Sequence, residues 1–292
     1  MNNQYIESMI FGMLLGDGWI SETHNCGFSG DVNSLEILKN DLIELYGDIG
    51  KARIVSKQTI SEKYNISGIT NKFIVNKKVT DRMIELGAPI GKRVEKIYGI
   101  PEWIKNGSLE IKKGFLSGYY AAEGYAPKMQ NNGITPKPLG FTVTKRKNNF
   151  KGYEILKNDF IKLLDDLDIK YNIKEKETYT CDKNIRIDFV FLNNSEDYLK
   201  QLKILDMRYC KYKEEDFKAL IDYFSYKEEV INNLVQAYMK VVIDEQSPTL
   251  ISKEYNINRS QVYNWKRRKN GVSIPKDFIK YEEYKKVHYK LR

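Results

Sequence analysis

Residues 10–19 read I-F-G-M-L-L-G-D-G-W, and 106 residues later 116–125 read L-S-G-Y-Y-A-A-E-G-Y. Both fit G-x-x-x-small-acid-G-aromatic, each after an apolar stretch, so the chain carries an internal repeat. Tyr5 to Gly16 and Ile111 to Ala122 are apolar on most sides, as expected of helices buried all round. Small residues recur four apart, Gly12 and Gly16 in one copy and Gly118 and Ala122 in the other, which puts them on one helical stripe. Glycine inside a helix costs about 1 kcal/mol relative to alanine. Close contact between the two helices would offset that cost.

Asp17 and Glu123 fall in the last turns of these helices, facing the negative end of the helix dipole. If the helices pack side by side, the carboxylates also approach each other, which is costly unless a cation lies between them or one is protonated. Mg²⁺ takes one or two carboxylates together with water and phosphate oxygens. A paired-acid seam therefore suits Mg²⁺ (or Mn²⁺) and phosphodiester hydrolysis.

With these residues in place, the chain resembles the double-motif LAGLIDADG homing endonucleases. Ile10 to Gly18 and Leu116 to Gly124 occupy the nine motif positions, with Asp17 and Glu123 at the eighth. The resemblance implies an α+β fold: two pseudo-symmetric αββαββα halves in one monomer, each with a four-stranded antiparallel sheet, together forming a DNA-binding saddle. It also places Gly16 and Ala122 among the metal ligands, and implies metal-dependent double-strand breaks at a long asymmetric target, with double-stranded DNA as partner. Gly91-Lys92 resembles the G-K pair that supplies an active-site lysine in intein-type members, making Lys92 a catalytic candidate. Lys211 or Lys213 is the counterpart in the second half.

The rest of the chain fits the expected order. Trp19–Ser21 and Cys26–Val32 read as a hairpin, and Asn33 to Tyr46 as a helix capped by Asn33 or Ser34. Strands follow at 51–59 and 71–75, then a short helix over 79–86. In the second half, strands are expected at 125–130, 139–145, 171–178 and 185–192, with helices at 153–167 and 197–205. Period-two alternation turns Ile185, Ile187 and Phe189 inward. It turns Arg186, Asp188, Thr142, Thr144, Lys174 and Lys176 outward, and likewise Lys51, Arg53 and Lys57 in the first half. These are the candidate readers of base edges in a major groove.

The charge is uneven. Of a net +9, +8 lies in 247–292, where 12 Lys and Arg face 4 Asp and Glu. Apolar positions Ile251, Tyr255, Ile257, Val262 and Trp265 there outline a helix, a turn near Asn256 and a second helix, as in a helix-turn-helix. Arg259, Gln261 and Asn264 would face bases, and Lys266, Arg267, Arg268 and Lys269 phosphates. The expected domains are 1–100 and 101–212 for the halves, 213–245 for bridging helices, and 246–292 for a small all-α DNA-binding tail.

Other classes fare worse. Three scattered cysteines, Cys26, Cys181 and Cys210, form no C-x-x-C, so neither a disulfide framework nor structural zinc is expected. Two histidines, His24 and His288, are too few for a histidine–metal nuclease. No secretory signal or membrane span is visible, so the expected location is intracellular. With no nucleophile at its start and no His-Asn at its end, the chain as it stands is not expected to be an intein. The alternatives on the same fold are a non-cleaving DNA-binding regulator, which would have lost the acids, and an intron maturase.

Overall fold

The structure, a computed structural model, describes residues 2–61, 66–177, 184–268, 271–273 and 278–289. Cys181, Lys269 and the end of the strand expected to Thr178 lie outside these. Two compact units are present, one made of 1–128 and 136–217, the other of 129–135 and 218–292.

The first unit contains the repeat. Its first half runs α1 (Asn3–Gly16), β1 (Gly18–Ile20), β2 (Cys26–Gly30), α2 (Val32–Tyr46), β3 (Val55–Ser61), β4 (Ile66–Ile74) and α3 (Lys77–Glu85). After the short α4 (Glu102–Lys105), the second half runs α5 (Leu109–Glu123), β5 (Gly140–Arg146), α6 (Phe150–Asp166), β6 (Tyr171–Glu177), β7 (Asn184–Phe191) and α7 (Ser195–Ile204). The fold is α+β with antiparallel sheets, in the order β1-β2-β4-β3 and β5-β7-β6.

The second sheet has three strands among the described residues, not the four expected. Gly124 still bridges Phe141, as Gly18 pairs with Phe28 in the first half, and the Tyr125 N–H donates to Gly140 O at 2.8 Å. The segment 125–130 goes no further as a strand; Pro127, which has no N–H to give, lies in its middle. At the start of α2 the cap is Asp31, whose Oδ1 accepts the Ser34 N–H at 3.0 Å, so the helix begins before Asn33.

Each sheet lays an apolar face on the helices. Tyr119, Phe141, Phe160 and Phe189 interlock with centroids 4.8–5.7 Å apart. The cross-strand register puts Lys174, Asp188 and Thr142 in one row and Lys176, Arg186 and Thr144 in the next. All six share the face opposite buried Ile187 and Phe189. In the first half Lys51 and Arg53 precede β3, and both are exposed, as is Lys57 within it.

The second unit contains most of α8 (Lys211–Val242), then α9 (Pro248–Glu254), α10 (Arg259–Arg268) and α11 (Tyr281–His288). Leu234, Ala237, Val241, Ile251, Val262 and Trp265 form its core, with Tyr255 and Ile257 packed against it. Thus all five apolar positions picked out in the tail meet one core. Asn256 sits between α9 and α10 at φ 52°, a left-handed turn that asparagine tolerates. The Ser252 hydroxyl closes that turn by donating to Ile257 O at 2.7 Å.

Candidate active site

The acids are carried by α1 and α5, which touch backbone to backbone. A Cβ on Gly12 would lie 2.2 Å from Phe115 O, and one on Gly118 would lie 1.9 Å from Met9 O. One on Gly16 would meet Ala122 Cβ at 2.2 Å and Glu123 Cγ at 3.5 Å. Only glycine lets the helices come this close, so their last turns, with Asp17 and Glu123, end side by side.

Both carboxyl groups feel that neighbourhood. Burial and the charge of Asp17 push Glu123 up to about 7. Burial also raises Asp17, although Arg93 and Lys213 work against it. Each helix end meets one of these cations. The Arg93 guanidinium donates to the carbonyls of Leu14 (3.0 Å), Leu15 and Gly16. Lys213 Nζ donates to Ala121 O (3.0 Å) and Gly124 O (2.8 Å). These are the carbonyls a helix leaves unpaired at its C-terminus, where the dipole also favours positive charge.

Lys92 and Lys211 do not take these places. Lys92 points to solvent, 78% exposed, with Nζ 4.0 Å from Glu95. Lys211 Nζ pairs with Glu214. Gly91, at φ 87°, turns the chain so that the residue after Lys92 reaches under α1, and Lys213, two residues and about 200° round α8 from Lys211, is the lysine that meets the end of α5. An open cleft of about 930 Å³, lined by 18–23 and 91–96, lies beside Asp17.

Lys145 escaped the sequence reading. It shares the inward face of β5 with Phe141 and Val143 and is 1% exposed. Its Nζ donates to Arg93 O (2.9 Å) and Lys96 O (3.0 Å) and lies 3.6 Å from the centre of the Tyr98 ring. Burial, and then Arg93, lower it to about 7. A neutral amine still has two N–H groups, enough for both carbonyls. The unfolded chain keeps its proton up to about 10.5, so between pH 7 and 10.5 the unfolded state binds more protons and stability rises with pH. Urea unfolding should show the wild type gaining on Lys145→Met by up to about 1.4 kcal/mol per pH unit across that window. A constant difference between the two would show that Lys145 is charged in the folded protein.

Among the described residues, no three His, Cys, Asp or Glu side chains cluster as a metal cage. Two acids alone still fit Mg²⁺, which fills its remaining positions with water and phosphate. Gly16 O, a predicted ligand, accepts from Arg93, and Ala122 lies against Gly16 at the seam. Of the predicted DNA contacts, Asp188 is occupied, accepting from Arg186 Nε (2.7 Å) and Thr142 Oγ1 (2.9 Å). Arg259, Asn264, Lys266, Arg267 and Arg268 are exposed on α10, and Gln261 is half-buried.

Residues 110–205 match the LAGLIDADG-like domain family. The chain is 25% identical over 294 residues to a replication factor C small subunit of Methanocaldococcus jannaschii, covering 96% of this chain and 15% of that protein. It is 26% identical over 293 residues to a tRNA-splicing ligase RtcB of Methanopyrus kandleri, covering 94% and 29%. The chain thus spans less than a third of either relative's length. The homing endonuclease I-WcaI bound to its DNA recognition sequence has a similar structure with TM-score 0.43 and 14% identity, over 73% of this chain and 87% of that one. The second half of the chain thus matches the LAGLIDADG-like domain family, and the first half repeats its motif with an acid at the same position.

Proposed function

We propose that the protein is a site-specific DNA endonuclease that makes metal-dependent double-strand breaks at a long asymmetric target. The observation that carries this reading is the pair of carboxyl groups, Asp17 exposed and Glu123 half-buried, ending side by side with a cation beneath each helix end. Asp17 and Glu123, with main-chain oxygens of Gly16 and Ala122, would hold Mg²⁺ or Mn²⁺. When bound, such ions polarise the scissile phosphate and lower the pKa of water. The protein's own part is positional. α1 and α5 fix the spacing of the acids, while Arg93 and Lys213 offset their charge and anchor the helix ends.

The two matched relatives are named for unrelated activities, yet each shares only one segment of its length with this chain. A self-contained nuclease that spreads between genes accounts for one module in such different settings, which supports a homing role. The polar faces of both sheets, with Lys57, Lys174, Lys176 and Arg186, would lie along the duplex, and one chain with two half-sites would act as a monomer. Lys92 and Lys211, near the cleft and the start of α8, would serve as phosphate contacts.

A random-sequence DNA library incubated with and without Mg²⁺ tests the reading. Cut ends appearing only with Mg²⁺, on both strands of one recurring site, are expected. Tight binding without cutting would favour the regulator instead.

The basic end of α10 makes a second prediction. If Lys266, Arg267 and Arg268 meet phosphates, replacing each by Gln should reduce the slope of log affinity against log salt by about 1. An unchanged slope would remove α10 from the DNA interface.

A further inference from the structure

Arg93 lies on a stretch of irregular chain, Lys213 in the first turn of α8 just after another, and each stretch is gripped by the opposite half. The segment 93–100 follows α3 of the first half, yet it lies against α6 of the second. Asn149 Nδ2, at the cap of α6, donates to Lys96 O at 2.9 Å. One carboxyl oxygen of Asp159 accepts the Ile100 N–H at 2.7 Å, and the other lies 3.4 Å from Lys105 Nζ. The segment 206–213 follows α7 of the second half and lies against α2 of the first. The Lys211 N–H donates to Ser34 Oγ at 2.9 Å. Asp41 accepts from Arg208 Nε and Nη2, both at 2.7 Å, and from the Tyr209 hydroxyl at 2.6 Å.

The two gripping acids correspond. Asp41 is the tenth residue of α2, and Asp159 the tenth of α6. They lie in a second internal repeat, E-I-L-K-N-D-L-I-E-L at 36–45 and E-I-L-K-N-D-F-I-K-L at 154–163. Asp41 is 4% exposed, and the Asp159 side chain 14%. A buried carboxylate is costly unless its partners are well placed. Each would therefore hold its strap in one geometry.

We infer that Asp41 and Asp159 are paired positioning residues, each holding the strap that carries one helix-end cation, Lys213 for Asp41 and Arg93 for Asp159. The inference rests on the endonuclease reading. Its consequence is that each acid serves one of two half-sites, and so one DNA strand, from the far side of the seam.

The test uses Asp41→Asn and Asp159→Asn in the full chain, acting on supercoiled plasmid bearing the site recovered from the library, with each strand's cut end read separately. Wild type should give linear product with little nicked intermediate. Each variant should raise the ratio of nicked to linear product at least tenfold, the two leaving opposite strands uncut. A loss of folding would slow both strands together, and Arg208→Lys, which keeps a charge beside Asp41, provides a milder form of the first variant. Equal slowing of both strands by well-folded variants overturns the inference. Amide exchange adds a readout that needs no cleavage. Asp159→Asn should deprotect 93–100 but not 206–213, and Asp41→Asn the reverse. Deprotection of both segments in both variants also overturns it. If wild type cuts no DNA, the endonuclease reading fails, and the straps are judged by exchange alone.

Discussion

Asp17→Asn will reduce DNA cleavage by at least about 10³-fold while leaving the fold intact or more stable. The size follows from the chemistry: a divalent ion supplies several kcal/mol of transition-state stabilisation, and each 1.36 kcal/mol is tenfold in rate. With only two carboxylates at the seam, the loss of one leaves no substitute among the described residues. Any stability effect runs the other way, because partial desolvation at the seam disfavours the ionised carboxylate, with Arg93 and Lys213 opposing it. Glu123→Gln should behave alike and shows the sign clearly. Its folded value, about 7, lies above the ordinary 4.5, so the wild-type acid loses stability as pH rises through that window. In EDTA, Glu123→Gln should therefore gain on wild type between pH 4.5 and 7 and hold that gain above. Urea unfolding at several pH values, paired with cleavage assays, checks both halves. Near-normal cutting by Asp17→Asn would end the paired-acid mechanism.

Gly118→Ala should destabilise the protein by about 3 kcal/mol, although the same change in an exposed helix gains about 1 kcal/mol. The new methyl would lie 1.9 Å from Met9 O and 2.9 Å from Met13 N, main-chain atoms that cannot swing aside. Relief requires the two helices to separate, moving the acids apart as well. For a chain of this size the midpoint of thermal unfolding should fall by roughly 6–12 °C. Gly68→Ala is the control. A Cβ there meets nothing within 4 Å, so the change should stay within about 0.5 kcal/mol. Calorimetry on both variants suffices. A Gly118→Ala protein as stable as wild type would mean that the helices do not pack at backbone distance.

What the sequence made legible is what repeats with a fixed period. The glycine spacing gave the seam and the two acids, and alternation gave the face shared by Lys174, Asp188, Thr142, Lys176, Arg186 and Thr144. The apolar pattern of the tail gave Ile251, Val262 and Trp265 as core. What stayed hidden has no period. Choosing Arg93 over Lys92 depends on a turn at Gly91, and choosing Lys213 over Lys211 on where α8 begins. Lys145 follows the inward alternation of β5, but a lysine is read by habit as exposed. Pro127 was the available sign that the second sheet would lack its first strand. The 36–45 and 154–163 repeat was present as letters, and would have marked α2 and α6 as equivalent helices with equivalent acids.

The crossed straps bear on how such a protein can be recombined. Exchanging one half for that of a cousin, cut at the boundary between α4 and α5, would separate each cation's carrier from the carboxylate that grips it. A hybrid built this way would keep both helices of the seam, yet lose the fit of Asp41 to Arg208 and of Asp159 to the Ile100 amide. The transplantable block is a half together with the opposing helix face that holds its strap.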